Sequence, residues 1–226
     1  WEIREHMTGR RMGEAALVDC NGVHACVREG RFRVACDVTH PLLGELGASR
    51  VYSPQKGAGP ADTELLERNM ERVIGVIERE MGREFRAVPG AGAAGGLACG
   101  LMAFAGAQLE RGIEIVLREV GFAEKIKGAD LVLTGEGQID GSTAYGKTIA
   151  GIAAEARKQG VPVVVLAGSI GPDAHKVYEV GVTAMVGICR GPMELAEAMR
   201  QGELLLAEAA ENVVRIYTSR GQNPKK

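Results

Sequence analysis

The stretch ADLVLTGEGQIDGSTAYGKT, Ala129–Thr148, decides how this chain is read. Leu131, Val132 and Leu133 form the short apolar run of a central strand. Gly135 and Gly137 admit tight backbone geometry, including positive φ. The spacing predicts a strand ending at Thr134, a polar loop over Gly135–Asp140, and a helix from about Thr148. Glu136 and Asp140 then stand with their carboxylates just past the strand end. Two hydroxyls (Ser142 and Thr143), two further glycines (Gly141 and Gly146) and Lys147 crowd ahead of the helix N-terminus, where backbone amides and the helix dipole favour anions. The segment reads as one that handles phosphate or a metal-bound anion.

Gly141–Thr148 also spells GxxxxGK[ST], the pattern of a phosphate loop. In a true P-loop the strand runs directly into the first glycine, whereas here the polar hexapeptide lies between. A P-loop NTPase would also need an Asp at a second strand end to hold magnesium. The candidate ends offer Ser169 and Cys189 instead. A solvated loop with an incidental lysine remains the plain alternative.

Outward toward the C-terminus the pattern alternates. Helix near Thr148–Gln159 closes at Gly160, strand Val161–Leu166 follows, then a short helix near Asp173–Val180, strand Val182–Ile188, and a long helix over about Pro192–Tyr217. Short all-apolar strands such as VPVVVLAG, separated by helices with Ala-rich faces, predict a doubly wound, Rossmann-like parallel sheet covered on both sides. Ligands of such sheets bind beyond the carboxyl ends of the strands. Those ends carry Gly135–Lys147, Gly168–Asp173 and Arg190–Pro192.

The N-terminal half is less regular and reads as part of a second α/β domain. Arg31–Val38 reads as a strand, and Asp37–Pro60 as a long Gly/Pro-rich loop. Ala61–Met81 is an amphipathic helix with Pro60 at its first position, Leu66, Met70, Val73 and Ile77 on one face, and Gly82 past its end. Asn21–Gly22 fits either a hairpin turn or a simple loop. Gly90, Gly92, Gly95 and Gly96 spell GxGxxG ahead of an apolar helix over Leu97–Leu109. FRAVP is not a convincing strand before it, and no acidic residue follows about twenty positions on, so a dinucleotide site does not fit. Close helix packing through glycines and an anion cradle at the helix start both remain.

Composition narrows the field. The chain has 226 residues, 46% of them hydrophobic, with 27 basic and 29 acidic residues and a net charge of −2. A real core is expected, and a nucleic-acid surface or polybasic membrane patch is not. No apolar run approaches the roughly 20 residues of a membrane span and no signal peptide opens the chain, so a cytoplasmic location is expected. The five cysteines are odd in number and sit largely in apolar contexts, so disulfides are not expected. Cys20, His24 and Cys26 lack a fourth zinc ligand at finger-like spacing.

Four motifs in order, ACDVTHPLLG, SPQKGA, PGAGAAGGL and LTGEGQIDGSTAYGK, resemble the bacterial glycerate kinase family of the glycerate 2-kinase type. The resemblance runs from about Asp19 to the helix near Pro192. Family members are longer, and their N-terminal motifs have no counterpart here, so the chain resembles their C-terminal part. The family pattern implies two α/β domains with the active site in the cleft between them. Residues 1–127 would belong to the inserted domain and 128–226 to the returning half of the Rossmann-like one. His40 stands where the family usually has Asn, and Ser142 where Gln is common.

The resemblance implies ATP and Mg²⁺ as cofactors, glycerate as substrate, and in-line phosphoryl transfer to a glycerate hydroxyl. It gives Lys147 and the amides around Gly141–Gly146 to phosphate, with Gly135, Gly137 and Thr143 lining the same loop. Glu136 and Asp140 go to Mg²⁺ or general-base work, and Asp37 with Thr39 to substrate or metal contacts. Lys56 and the amides of Gly90, Gly92, Gly95 and Gly96 are second candidates for anion binding. For Asp37 a capping role after the strand, and for Lys56 a solvated surface position, stand beside these. Self-association, association with an N-terminal portion, and a non-catalytic anion-binding fragment are the remaining expectations.

Overall fold

The computed structural model describes residues 7–144 and 148–219 and divides the chain into two compact units, Trp1–Gly112 and Ile113–Lys226. The boundary falls about fifteen residues before the one expected near Lys127. The reason is packing: Phe122, Ile126 and Ala129 join the apolar core of the second unit, and Gln159 donates to the Ala123 carbonyl.

In the first unit a short helix α1 (Ala25–Glu29) leads into strand β1 (Arg33–Ala35), followed by α2 (Ala48–Tyr52), a 3₁₀ turn Pro54–Lys56, and α3 (Pro60–Met81). His24 caps α1, its Nδ1 accepting from the Cys26 amide, and Asn21–Gly22 is a turn without a hairpin. Helix α3 runs as its pattern predicts, from Pro60 at its first position to Gly82 in the left-handed conformation (φ 63°). Its inner face places Met70, Ile74 and Ile77 against Leu42, Phe85, Cys99 and Met102. Burial pushes the Cys99 thiol up to about 11, which makes it an inert hydrophobe rather than a nucleophile.

Helix α4 (Ala93–Ala105) corrects two expectations. Its first turn is non-helical, with Ala94, Gly95 and Gly96 all at positive φ, and its end is fixed by Gly106 (φ 62°). The residues expected to finish that helix instead form strand β2 (Gln108–Glu110), paired in parallel with β1, Arg33 opposite Gln108.

The second unit begins within α5 (Gly112–Glu119), followed by α6 (Phe122–Lys125), and contains strands β3 (Val132–Ile139), β4 (Val163–Ile170) and β5 (Ala184–Gly187). Among the described residues these make a parallel sheet in the order β3-β4-β5. One face of β4 (Val163, Val165, Ala167) is covered by α7 (Thr148–Lys158) and by the 3₁₀ turn Ala174–Tyr178. The other face (Val164, Leu166) meets α9 (Gly202–Ser219), which follows α8 (Leu195–Arg200). The sheet is covered on both sides, as its all-apolar strands demand. The single C-terminal helix expected over Pro192–Tyr217 is broken at Gln201–Gly202. Among the described residues no helix is long and apolar enough to cross a membrane.

Strand β3 is longer than its sequence advertises. It continues through Gly135, Glu136, Gly137 and Gln138 to Ile139, with Gly135 opposite Leu166 and Glu136 opposite Ala167. The partner strand supplies the ladder that the glycines alone do not encode. The close approach is required of the β4 glycine: a Cβ on Gly168 would lie 2.5 Å from the Gly137 carbonyl oxygen, whereas one on Gly137 would meet nothing within 4 Å.

Candidate functional site

The carboxyl ends of β3 and β4 are tied to each other. Gly171 N donates to Ile139 O (2.7 Å) and Gly141 N to Pro172 O (3.0 Å). Asp140, the first residue past β3, organises the turn that follows. Its Oδ1 accepts from the Ser142 amide (2.8 Å) and hydroxyl (2.6 Å), and its carbonyl accepts from Thr143 N (3.0 Å). In return the Asp140 amide donates to Thr143 Oγ1 (3.2 Å), and Thr143 is buried at 5% exposure. The Asp140 carboxylate is thereby held rigidly at the sheet edge where α/β sheets receive ligands.

This geometry revises the expected roles. The amides of Gly141, Ser142 and Thr143 all donate within the protein, so they do not form a phosphate cradle. The hexapeptide argument against a phosphate loop also changes, because β3 reaches Ile139 and Asp140 alone separates it from Gly141. What distinguishes the segment from a phosphate loop is this internal hydrogen bonding. Gly146 and Lys147 lie outside the described residues.

Glu136 does not stand past the strand end. It is a mid-strand, half-buried residue, and its carboxylate makes no hydrogen bond or ion pair among the described residues. At about 3.3 Å per residue, four strand steps separate its Cα from that of Asp140 by roughly 13 Å. For both to reach one Mg²⁺, whose ligands sit about 2.1 Å away, the two side chains would have to extend toward each other along the strand. Among the described residues no group of three or more His, Cys, Asp or Glu side chains could hold a metal ion. Magnesium at phosphoryl-transfer sites takes one or two carboxylates and completes its shell with water and phosphate oxygens, and Asp140 fits the part of that single carboxylate.

The sequence reading missed two residues at this edge. Asp173 adopts the left-handed conformation (φ 58°) and pairs with Lys176, Oδ2 to Nζ 3.4 Å. A Cβ on Gly141 would lie 2.8 Å from Asp173 Cβ and 3.6 Å from Lys176 Cδ, so both side chains abut the Asp140 turn. Lys176 thus brings a cation, paired with Asp173, up against the Asp140 turn. Its only sequence signal was a position in the short helix after a loop already placed at the ligand edge. At the end of β5, Arg190 is engaged by Glu208, with Nε donating at 2.7 Å.

In the first unit Asp37 is exposed and accepts from Gly112 N through Oδ1 (2.9 Å), which holds the start of α5 rather than capping the loop after its own strand. Thr39 is exposed nearby along the chain. His40 presents its carbonyl to Gly92 N (3.0 Å), its Nδ1 to Leu46 O (3.1 Å), and its ring edge-on to Tyr52 at 5.6 Å. Gly90 and Gly92 are buried close-approach glycines. A Cβ on Gly90 would meet Cys36 Sγ at 2.8 Å, and one on Gly92 would meet Pro41 O at 2.2 Å. The Gly95 and Gly96 amides both donate to Gly92 O (3.1 and 3.3 Å). Close packing accounts for Gly90 and Gly92, and the amides of Gly92, Gly95 and Gly96 are turned inward rather than toward an anion. Lys56 is exposed and borders a cleft of about 320 Å³ together with Gly95.

The comparisons with known proteins bear on what such an edge does. A model of the glycerate kinase family matches residues 2–218. A glycerate kinase of Halalkalibacterium halodurans is 45% identical over 205 residues, covering 91% of this chain and 54% of that protein. A glycerate 2-kinase of Escherichia coli is 40% identical over 196 residues, covering 87% and 51%. A solved structure assigned as glycerate kinase 2 from Salmonella typhimurium LT2 superposes with a TM-score of 0.80 at 35% identity, over 95% of this chain and 56% of that one. The chain spans about half the length of the curated relatives it matches.

Proposed function

The chain belongs to the glycerate kinase family, and on that footing we propose that it serves the transfer of the γ-phosphoryl group of Mg-ATP to a hydroxyl of D-glycerate. The observation that supports this most directly is the Asp140 carboxylate held at the carboxyl edge of a parallel sheet, in a turn that Asp173 and Lys176 abut. Phosphoryl transfer needs little covalent help from the protein. It needs cations and donors around the moving group and a carboxylate to orient the metal or receive the hydroxyl proton. Asp140 takes one of those carboxylate duties. Lys147 and Gly146 of the same loop, together with Lys176, serve the phosphates, while buried Thr143 holds the turn that carries Asp140. Magnesium, when bound, neutralises charge on the phosphoryl oxygens. Gly135, whose Cβ would lie 3.1 Å from the Leu166 carbonyl oxygen, and Gly137, whose carbonyl faces Gly168, contribute through the close β3–β4 pairing that fixes where Asp140 emerges.

Glu136, with its uncommitted carboxylate, acts apart from Asp140 as a second acid–base candidate. Asp37 and Thr39 serve glycerate in the first unit, the former while holding the start of α5. Lys56 attracts an anion there, and Gly90, Gly92, Gly95 and Gly96 shape that unit rather than cradle the anion through their amides. The test is a coupled assay of ATP- and magnesium-dependent phosphorylation of D-glycerate, on the 226-residue chain and on a chain extended to the length of its relatives. Turnover in either form upholds the reading. Failure of both would remove glycerate phosphorylation from it.

A further inference from the structure

We propose that Asn21–Gly22 is a site of spontaneous covalent modification: deamidation through a cyclic imide, giving aspartate and isoaspartate at position 21 with water and hydroxide as the only co-reactants. The site is independent of the kinase activity. Its chemistry needs a free amide and open space. Hydroxide removes the Gly22 N–H proton, and the amide nitrogen attacks Asn21 Cγ. The Gly22 N–Cγ bond forms and the Cγ–Nδ2 bond breaks. The leaving group takes a proton from water and departs as ammonia, which regenerates the hydroxide. Water then opens the imide at Cγ, giving aspartate, or at the Asn21 main-chain carbonyl, giving isoaspartate with the chain running through the side-chain carbons. A side chain on the second residue crowds the attack, and hydrogen bonds from its amide or from the asparagine side chain oppose it.

Asn21–Gly22 meets each requirement. Both residues are exposed, and nothing lies within 4 Å of where a Gly22 Cβ would stand. The amides on either side are engaged: Asn21 N donates to Asp19 Oδ1 (2.8 Å) and Val23 N to Cys20 O (3.2 Å). Between them the Gly22 amide donates to no group among the described residues, and the Asn21 side chain makes no hydrogen bond there. Arg28 stands over the same turn, its Nη2 donating to Cys20 O (2.8 Å) and to Asn21 O (2.9 Å). In isoaspartate that Asn21 carbonyl becomes a free carboxylate, so the contact with Arg28 turns from a hydrogen bond into an ion pair.

The fold denies the same chemistry to the other candidates. Asp140 also precedes a glycine, but Gly141 N donates to Pro172 O (3.0 Å) and the Asp140 carboxylate accepts from Ser142. Asn69, within α3, donates through Nδ2 to Gly9 O and Arg10 O. Asn212 is followed by β-branched Val213 inside α9. Asn223 precedes Pro224, which has no amide hydrogen to lose. The catalytic edge is therefore guarded and the turn before α1 is not.

The test is peptide mass mapping of the 226-residue chain after incubation in warm, mildly alkaline buffer, folded and in guanidinium chloride, with isoaspartate read out by enzymatic methyl labelling. Acid is expected at Asn21 in the folded chain at nearly the rate of the unfolded one, while Asp140 isomerises only in denaturant. Gly22→Ala is expected to slow the conversion at least about tenfold, as a modest rise in barrier brings. Gly22 lies outside the left-handed region and has open space around it, so this variant keeps the wild-type melting temperature. Conversion at Asn21 that requires denaturant would show its amide to be guarded and overturns the proposal, as does an unchanged rate in Gly22→Ala. Isomerisation of Asp140 in the folded chain at the rate of Asn21 would overturn the distinction between the two pairs.

Discussion

Gly92→Ala separates the two physical readings of the glycine cluster, because Gly92 has an ordinary φ of −75° and any cost must come from contact rather than backbone strain. The added Cβ would sit 2.2 Å from Pro41 O and 3.1 Å from His40 O. Ordinary C···O approach is about 3.3 Å, so one segment must retreat by roughly 1 Å. That movement breaks or stretches the 3.0 Å bond from Gly92 N to His40 O. Overpacking of this kind costs about 1–3 kcal/mol and the lost bond about 1 more, giving roughly 2–4 kcal/mol and a melting point lower by about 5–15 °C. Gly95→Ala is the comparator: nothing lies within 4 Å of its Cβ, but its φ of 73° costs about 1–2 kcal/mol of left-handed strain. Thermal and urea unfolding of both variants, with hydrogen exchange on Leu42 and Gly92, is the assay. If Gly92→Ala melts within 2 °C of wild type, the contact between the cluster and His40–Pro41 is not what the geometry says. The cluster would then have to be explained as an open anion cradle.

Asp140→Asn keeps an oxygen for Ser142 but loses the charge, so steady-state turnover should fall by about 10²–10⁴-fold with an unchanged melting point; wild-type turnover would take Asp140 out of the mechanism. Lys176→Ala removes a half-exposed ion pair with Asp173 worth less than about 1 kcal/mol, and should weaken Mg-ATP binding several-fold in a fluorescence titration while stability barely moves; the reverse pattern would make Lys176 purely structural. Glu78 gives a pH prediction. Burial alone raises its carboxyl, but hydrogen bonds from the Arg86 side chain and from the Phe85 and Arg86 amides outweigh that and hold it below its ordinary 4.5. Its contribution is therefore complete above about pH 4.5 and is lost as the pH falls through the lowered folded value, so wild type should lose its stability margin over Glu78→Gln on acidification; a pH-independent margin would contradict this. Leu195, Met199 and Ile216 are 75%, 74% and 69% exposed, so light scattering should show self-association that Leu195→Glu with Ile216→Glu abolishes; a clean monomer at high concentration argues against it.

The parts of the fold legible in the sequence were those with local signals. Helix α3 announces itself through Pro60, an apolar face at helical spacing and Gly82. Strand β4 is legible because a run such as VPVVVLAG buried on both faces has few other uses. The parallel alternation around it followed at once, and with it the sheet edge where Asp140 sits. Strand β2 was not legible. QLE carries no strand signal of its own, and its pairing with Arg33–Ala35 is a long-range event. Gly106 was the available clue, since a glycine inside an apolar helical run is a natural left-handed terminator.

Glu136 shows why site geometry is harder to read than fold. A glycine–acid–glycine sequence has the composition of a loop, and local propensity places its carboxylate at a turn. The strand exists there because β4 offers seven paired positions from Val163 to Ile170, and Gly168 has no Cβ to crowd the Gly137 carbonyl oxygen. Propensity describes the isolated segment, whereas register is set by the partner. The consequence is chemical: the residue moves from one end of the strand to its middle, so the two carboxylates expected together past the strand end stand one at the edge and one inside the sheet. The same logic explains Lys176. Nothing within its helix marks it, and it joins the site because Gly141 has no Cβ to keep Asp173 away.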